Sequence, residues 1–340
     1  MNKNLFKIII GILAVYLIIR FSLHMFPGHY CKISGYTQGT TYHITYKSRN
    51  NIIILKKEVD SVLADFDHSL STYLPGSIIS RINRNDTNVF TDKYFRVVFR
   101  KAQEVYKATD GAFDITVAPV VNAWGFGFTT GSTADSTLID SLLQYVGMDK
   151  VKLEDDRVIK KYPQTMLDVN AIAQGYSVDV VSDYLKSKGI ASYLVEIGGE
   201  VRTKGRNPKN MRWTIGIDKP IENNFTPGRI LQTKIRISNG SIATSGNYRS
   251  FYEKNGIKYT HSINPKTGYP VMSNLLSATV KASDCMTADA YATAFMVMGL
   301  EKTIAFLKQH HELQAYLIYS DKNGQFRSYV TGKLKCKLRR

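Results

Sequence analysis

The sequence predicts an α+β fold: a single domain of mostly antiparallel sheets and packed helices, preceded by an N-terminal hydrophobic anchor. Three observations carry that reading. Helical and strand-like apolar patterns alternate irregularly, without the regular strand–helix rhythm of a doubly wound parallel sheet. The C-terminal half is dominated by short strands, with a hairpin signal at Asn323-Gly324. Neither a repeat nor a linker interrupts residues 32–332, which read as one domain between an N-terminal segment (1–31) and a basic tail (333–340).

In chain order, Tyr36 to Tyr46 reads as a strand rich in Thr, Tyr and Ile, opened by a glycine turn. Lys56 to Leu70 places Val59, Val62, Leu63, Phe66 and Leu70 at helical spacing. Tyr94 to Thr109 repeats the pattern and Gly111 sits just past its end, while Thr137 to Val146 predicts a shorter helix. Ala171 to Lys188 is a further helix, with Lys186 and Lys188 in its last turn and Gly189 closing it. Strands are expected at Tyr193 to Ile197, Trp213 to Ile217, Ile230 to Ile237, Lys258 to Ile263 and Ser277 to Ala282. Helices at Met286 to Met298 and Glu301 to Lys308 follow, then the hairpin of Gln314 to Ser320 and Gln325 to Val330.

With 340 residues, 44% of them hydrophobic, the chain can bury a substantial core, and no segment is disordered by composition. The net charge of +17 raises the question of nucleic acid. Its basic residues are scattered, apart from Lys333, Lys335, Lys337, Arg339 and Arg340, and no nucleic-acid module is recognisable. No nucleic-acid partner is therefore expected; an anionic membrane or an anionic cofactor suits the charge. Cys31, Cys285 and Cys336 are too few and too widely spaced for a disulfide framework or a zinc site. Cys285, at the start of a helix, is read as a buried structural thiol in preference to a reactive one.

Lys3 and Lys7 precede an apolar run from Ile8 to Ile19, and extending it from Leu5 to Phe26 reaches membrane-spanning length at the cost of Arg20 and His24. No small-x-small cleavage site follows, which favours an uncleaved signal anchor over a cleaved signal peptide. Either form exports the rest of the chain.

Several catalytic signatures are missing: no Walker A loop, no G-x-S-x-G elbow, no H-E-x-x-H, and Lys266-Thr267-Gly268 stands without its β-lactamase partners. What remains is a series of polar, glycine-rich clusters: Gly111 to Val117 with Asn122 to Gly127, Asp168 to Tyr176, Glu196 to Glu200, Ser241 to Gly246, and His261 to Pro265 with Gly268. Asp289 and Thr293 stand four apart, on one face of a helix. Such a pair is ordinarily a solvated face. Asp289, however, lies among Ala288, Ala290, Ala292, Phe295 and Met296, where an unpaired carboxylate is costly and a hard cation would offset that cost. The strand-to-helix passage at Asp168 to Gln174 would offer backbone N–H groups to a phosphate. Together these point to a Mg2+–pyrophosphate nucleotide site, as far as the residues alone reach.

The clusters, in this order, closely resemble the ApbE family of FAD:protein FMN transferases. The resemblance runs from about Gln38 to Gly299 and rests on eight blocks: GTTYHI (39–44), STYLPGSIISRIN (71–83), DGAFDITVAPVVNAWGFG (110–127), DVNAIAQGYSVD (168–179), VEIGGEVRTKG (195–205), IATSGNYR (242–249), THSINPKTGYP (260–270) and TADAYATAFMVMG (287–299). It implies that Gln38, Tyr73, Ala112, Phe113, Asp114, Asp168 and Ile263 line an FAD pocket. It implies Asp289, Thr293 and the Ala171 carbonyl as Mg2+ ligands, and His261 as the base that activates an acceptor hydroxyl. Gln174 stands where many members have Lys, so one fixed positive charge near the FAD is replaced by a neutral amide. The activity implied is Mg2+-dependent transfer of FMN from FAD to a Thr or Ser of an exported or membrane acceptor protein, with release of AMP. Hydrolysis of FAD to FMN and AMP, and non-enzymatic FAD storage, are the alternatives.

Overall fold

The computed structural model describes residues 28–48, 53–127, 134–221, 230–247, 251–254, 257–260, 262–335 and 338–339, with helical positions at 9, 11–12 and 14–16. The chain enters through an antiparallel hairpin, β1 (Tyr30–Thr37) and β2 (Thr40–Lys47). The single strand expected over Tyr36 to Tyr46 is thus two. Gln38 and Gly39 both take positive φ, 51° and 72°, which reverses the chain between Thr37 and Thr40. Tyr30 and Cys31, allotted by sequence to the N-terminal segment, already belong to β1. The apolar run itself falls mainly outside the described residues; among those described, no helix is long and apolar enough to cross a membrane.

Helix α1 (Lys56–Leu70) buries Val59, Leu63, Phe66 and Leu70, as their spacing requires. The short α2 (Ile78–Asn83), unanticipated from sequence, starts where Ser77 accepts a hydrogen bond from Ser80 N. Helix α3 (Lys93–Ala108) is capped in the same way by Asp92. Next come α4 (Ala118–Ala123), α5 (Ser136–Leu143) and the small hairpin β3 (Val151–Glu154) and β4 (Arg157–Lys160). The residues before α6 (Asn170–Ser187) are a connection and not the strand expected there: Asp168 N donates to Ile115 O, and Met166 makes an isolated bridge to Val117.

Strands β5 (Tyr193–Ile197), β6 (Glu200–Lys204), β7 (Trp213–Asp218), β8 (Leu231–Ile237) and β9 (Gly240–Gly246) follow, then β10 (Phe251–Lys254), β11 (Ile257–Thr260) and β12 (Leu275–Ala282). The strand expected at Lys258 to Ile263 stops at Thr260, and Ile263 bridges Pro270 across a turn. Helices α7 (Cys285–Met298) and α8 (Leu300–Gln309) precede the hairpin β13 (Gln314–Ser320) and β14 (Phe326–Val330). In the basic tail, β15 (Leu338–Arg339) pairs with β8.

The main sheet has eight strands in the order β1-β2-β5-β6-β9-β12-β13-β14, every neighbouring pair antiparallel. The expectation of mixed helices and mostly antiparallel sheets therefore holds. Helix α7 packs against α6, β9 and β12, and it contributes ten buried residues to the centre of the molecule. That position, between a helix and a sheet, is what sets the site.

Candidate active site

Building from the backbone, α6 and α7 approach until only glycine fits between them. A Cβ on Gly175 would sit 2.5 Å from the Cys285 carbonyl oxygen and 2.6 Å from Asp289 Cβ. At that crossing Gly175 N donates to Asp289 Oδ2 at 2.9 Å. In a regular helix the Gly175 N–H would serve the carbonyl four residues earlier, that of Ala171. Ala171 itself lines the same cavity as Asp289. One turn along α7, Thr293 Oγ1 lies 3.1 Å from Ser245 Oγ on β9. Asp289 is buried, and desolvation pushes its pKa up to about 7 against the opposing Gly175 hydrogen bond. The carboxylate expected to be costly in an apolar helix is buried there beside one backbone donor.

The facing wall is made of turns. Asp114 is buried and accepts from Thr116 N at 2.7 Å and Thr116 Oγ1 at 2.6 Å; burial still lifts its pKa to about 6. Asp168 accepts from Asn170 N at 2.8 Å and is also raised by desolvation. The 262–270 lobe is tied down by Trp124 Nε1 donating to Gly268 O at 2.7 Å and by Lys266 Nζ donating to Asp110 Oδ2 at 2.6 Å.

Between these walls lies a cavity of about 380 Å³, within the roughly 300–1,000 Å³ usual for small-molecule sites. Eight of the residues singled out from the sequence line it: Ala112, Phe113, Asp114, Asp168, Ala171, Ile263, Asp289 and Thr293. Three do not. Gln174 turns to the sheet and donates to Glu200 Oε2 at 2.7 Å and Ile197 O at 3.2 Å. Gln38 is held by Asp67 and Ser177, and Tyr73 is 71% exposed. His261 lies outside the described residues.

Sequence reasoning missed Asn170, Thr244, Ser245 and Ser262 as lining residues, although each stands in or beside a polar cluster already noted. It also overstated the helix N-terminus as a phosphate cradle. Asn170 N is spent on Asp168, and Ile172 N and Ala173 N both bond Val169 O. Cys285 is buried and its pKa is pushed well above the ordinary thiol value, so the structural reading of that cysteine stands.

Among the described residues no three His, Cys, Asp or Glu side chains gather as a metal cluster. The candidate donor set is instead a carboxylate, a hydroxyl and a backbone carbonyl. These are hard oxygens and few of them, the set that suits Mg2+ sharing its coordination with substrate phosphates. Among the described residues Asp289 accepts one hydrogen bond, from the Gly175 N–H, so this donor set fits a cation.

This fold and cavity define a class. A model of the ApbE family matches residues 38–317, and the chain belongs to that family. The Haemophilus influenzae protein named FAD:protein FMN transferase is 36% identical over 331 residues, covering 94% of each chain. The Vibrio cholerae protein of the same name is 36% identical over 318 residues, 91% of this chain and 93% of that one. A solved structure described as flavin transferase ApbE from Vibrio cholerae superposes with a TM-score of 0.82 at 34% identity, covering 92% of this chain and 100% of that one.

Proposed function

We propose that this enzyme transfers the FMN moiety of FAD to a Thr or Ser hydroxyl of an acceptor protein, releasing AMP, with Mg2+ required. The observation that carries the reading is Asp289: a buried carboxylate in an apolar helix, held by one N–H and facing a cavity shared with Thr293 and Ala171. Family membership supports the flavin chemistry. Asp289, Thr293 and the Ala171 carbonyl would hold the Mg2+, which when bound would withdraw charge from the pyrophosphate and stabilise the departing AMP.

The chain's own groups do the rest. Phe113 and Ile263 offer apolar surface to a ring system, and Asp114 and Asp168 offer acceptors to hydroxyl or amino groups of FAD. His261, following β11, would take the proton from the acceptor hydroxyl. Its oxygen attacks the FMN phosphorus and the bond to AMP breaks, leaving a phosphoester-linked FMN. Gln174, bonded to Glu200 and the Ile197 carbonyl, would act on FAD only through the neighbouring backbone.

The decisive experiment incubates the full chain with FAD, Mg2+ and candidate exported proteins. Intact mass of the acceptor should rise by one FMN, and not under EDTA. AMP release without a mass gain would identify a hydrolase, and neither would identify a carrier. His261→Ala should bind FAD normally yet transfer FMN about 10²–10⁴-fold more slowly. Transfer by His261→Ala at the wild-type rate would place the base elsewhere.

The location is part of the same reading. The basic N-terminus and apolar run would hold the chain at the cytoplasmic membrane with the domain on the extracytoplasmic side, where an exported acceptor meets it. A reporter fused after Arg340 should be active only outside the cytoplasm; cytoplasmic activity would overturn the topology.

A further inference from the structure

Asp179 lies two turns along α6 from Ala171, and the flavin chemistry gives it no task. It is buried, and its carboxylate reaches across to the first turn of the neighbouring helix. Cys285 N donates to Asp179 Oδ1 and Oδ2, both at 2.9 Å, and Met286 N donates to Oδ2 at 2.8 Å. From β6, Arg202 Nη1 closes the group at 2.8 Å.

Helix α7 does not need this carboxylate as a cap. Asp284 already occupies that place and accepts from Thr287 N at 2.8 Å. A cap drawn from its own chain stops a helix from fraying, but it cannot fix how the helix is rolled or how deep it sits against another. A carboxylate borrowed from α6 can. With the Gly175–Asp289 contact it pins α7 to α6 at two points, Gly175 and Asp179 on one helix, Cys285–Met286 and Asp289 on the other. Two points four residues apart on each helix fix both roll and translation. A buried ion pair such as Asp179–Arg202 contributes little net stability once desolvation is counted, so geometry is the better account of it.

We propose that Asp179 is a positioning residue for the cation site: it clamps α7 against α6 so that Asp289, Thr293 and the Ala171 carbonyl converge. This rests on the Mg2+ reading above. It assigns a role to a residue that touches neither FAD nor metal, and it separates two carboxylates at the head of α7, Asp284 for the helix itself and Asp179 for its placement.

The test is a titration of the full chain with Mn2+, followed by electron paramagnetic resonance, with saturating ADP supplying the pyrophosphate. Asp179→Asn should weaken Mn2+ binding by roughly 10–100-fold, the loss typical when a group supporting metal ligands is removed. It should also raise the Mg2+ concentration needed for transfer, recover kcat once Mg2+ saturates, and leave the KM for FAD nearly unchanged. Asp284→Ala, which removes only the cap, should lower the melting temperature and leave Mn2+ affinity intact. Should Asp179→Asn fail to fold, Arg202→Lys, which keeps the charge but loosens the clamp, should weaken Mn2+ binding in the same direction. Wild-type affinity in the folded Asp179→Asn protein or in Arg202→Lys, or an equal loss of affinity in Asp284→Ala, overturns the clamp. A wild-type chain that binds no Mn2+ overturns the metal reading itself.

Discussion

The first and second turns of α7 bury acidic groups under opposite conditions. At the first turn Asp179 meets the Cys285 and Met286 N–H groups and the Arg202 guanidinium, so donors surround it. At the second turn Asp289 has the Gly175 N–H. Burial raises the pKa of both, Asp179 to about 6 and Asp289 to about 7. The difference separates roles. A buried carboxylate whose oxygens are filled by protein donors holds structure, whereas one left short of donors beside a cavity is ready for a cation.

The strongest way to break this contrast is Asp289→Asn. The amide keeps the shape and removes the charge. Transfer should therefore fall by more than the roughly 10–100-fold that loss of a supporting group costs a metal site, while circular dichroism stays native. Thr293→Ala should be milder, because a neutral oxygen holds a divalent ion less firmly than a carboxylate. Near-native transfer by Asp289→Asn at an unchanged Mg2+ requirement would remove the distinction between the two turns.

Gly175→Ala attacks both turns at once, since the new methyl would meet the Cys285 carbonyl and Asp289 Cβ. The expected cost is about 1–3 kcal/mol of stability, as for other overpacked contacts, together with a weakened metal site. Denaturant melts and Mg2+ titrations of the same sample check the two effects separately.

The facing wall sharpens the comparison through pH. Asp114 has a folded pKa of about 6, above the ordinary carboxylate value, so the folded state holds its proton more tightly than the unfolded chain. Its contribution is present below pH about 4 and is lost as pH rises to about 6, a difference on the order of 1–3 kcal/mol. Asp114→Asn should flatten the stability–pH curve over that window. Some slope should persist, because Asp179 is shifted in the same direction. An unchanged curve would contradict the buried, raised state of Asp114. The smallest effect is expected from Lys266→Ala. Its ion pair with Asp110 is exposed, so solvent screens it and its removal should matter little to stability. A modest rise in the KM for FAD, as the 262–270 lobe loosens, is the measurement to make.

The helices were legible wherever one face alone is buried. Lys56 to Leu70 is found with the bounds its apolar spacing gives, because Val59, Leu63, Phe66 and Leu70 share one face. Strands were legible where β-branched and aromatic runs were long, as at Tyr193 to Ile197. The glycine- and serine-rich β9 was read as a polar cluster, since its place in the sheet comes from pairing with β6 and β12 and not from its own propensity. A glycine turn was read at the head of Tyr36 to Tyr46, but not the strand β1 that precedes it, nor that Gln38 beside Gly39 also takes positive φ. At the site, polarity within an apolar pattern revealed Asp289. Asp179 carried a similar signal among Val178, Val180 and Val181, but its partners lie more than a hundred residues away at Cys285 and Met286. Gln174 illustrates the opposite limit: its order in a motif located the helix, but the direction of its side chain toward Glu200 is set by tertiary packing.

The most direct test of the central claim is FMN transfer across a Mg2+ titration, comparing wild type with Asp289→Asn by the intact mass of the acceptor. The account predicts saturable dependence on Mg2+ for the wild type, with no transfer under EDTA, and a variant whose transfer no Mg2+ concentration restores. Equal transfer by both proteins in EDTA would contradict it.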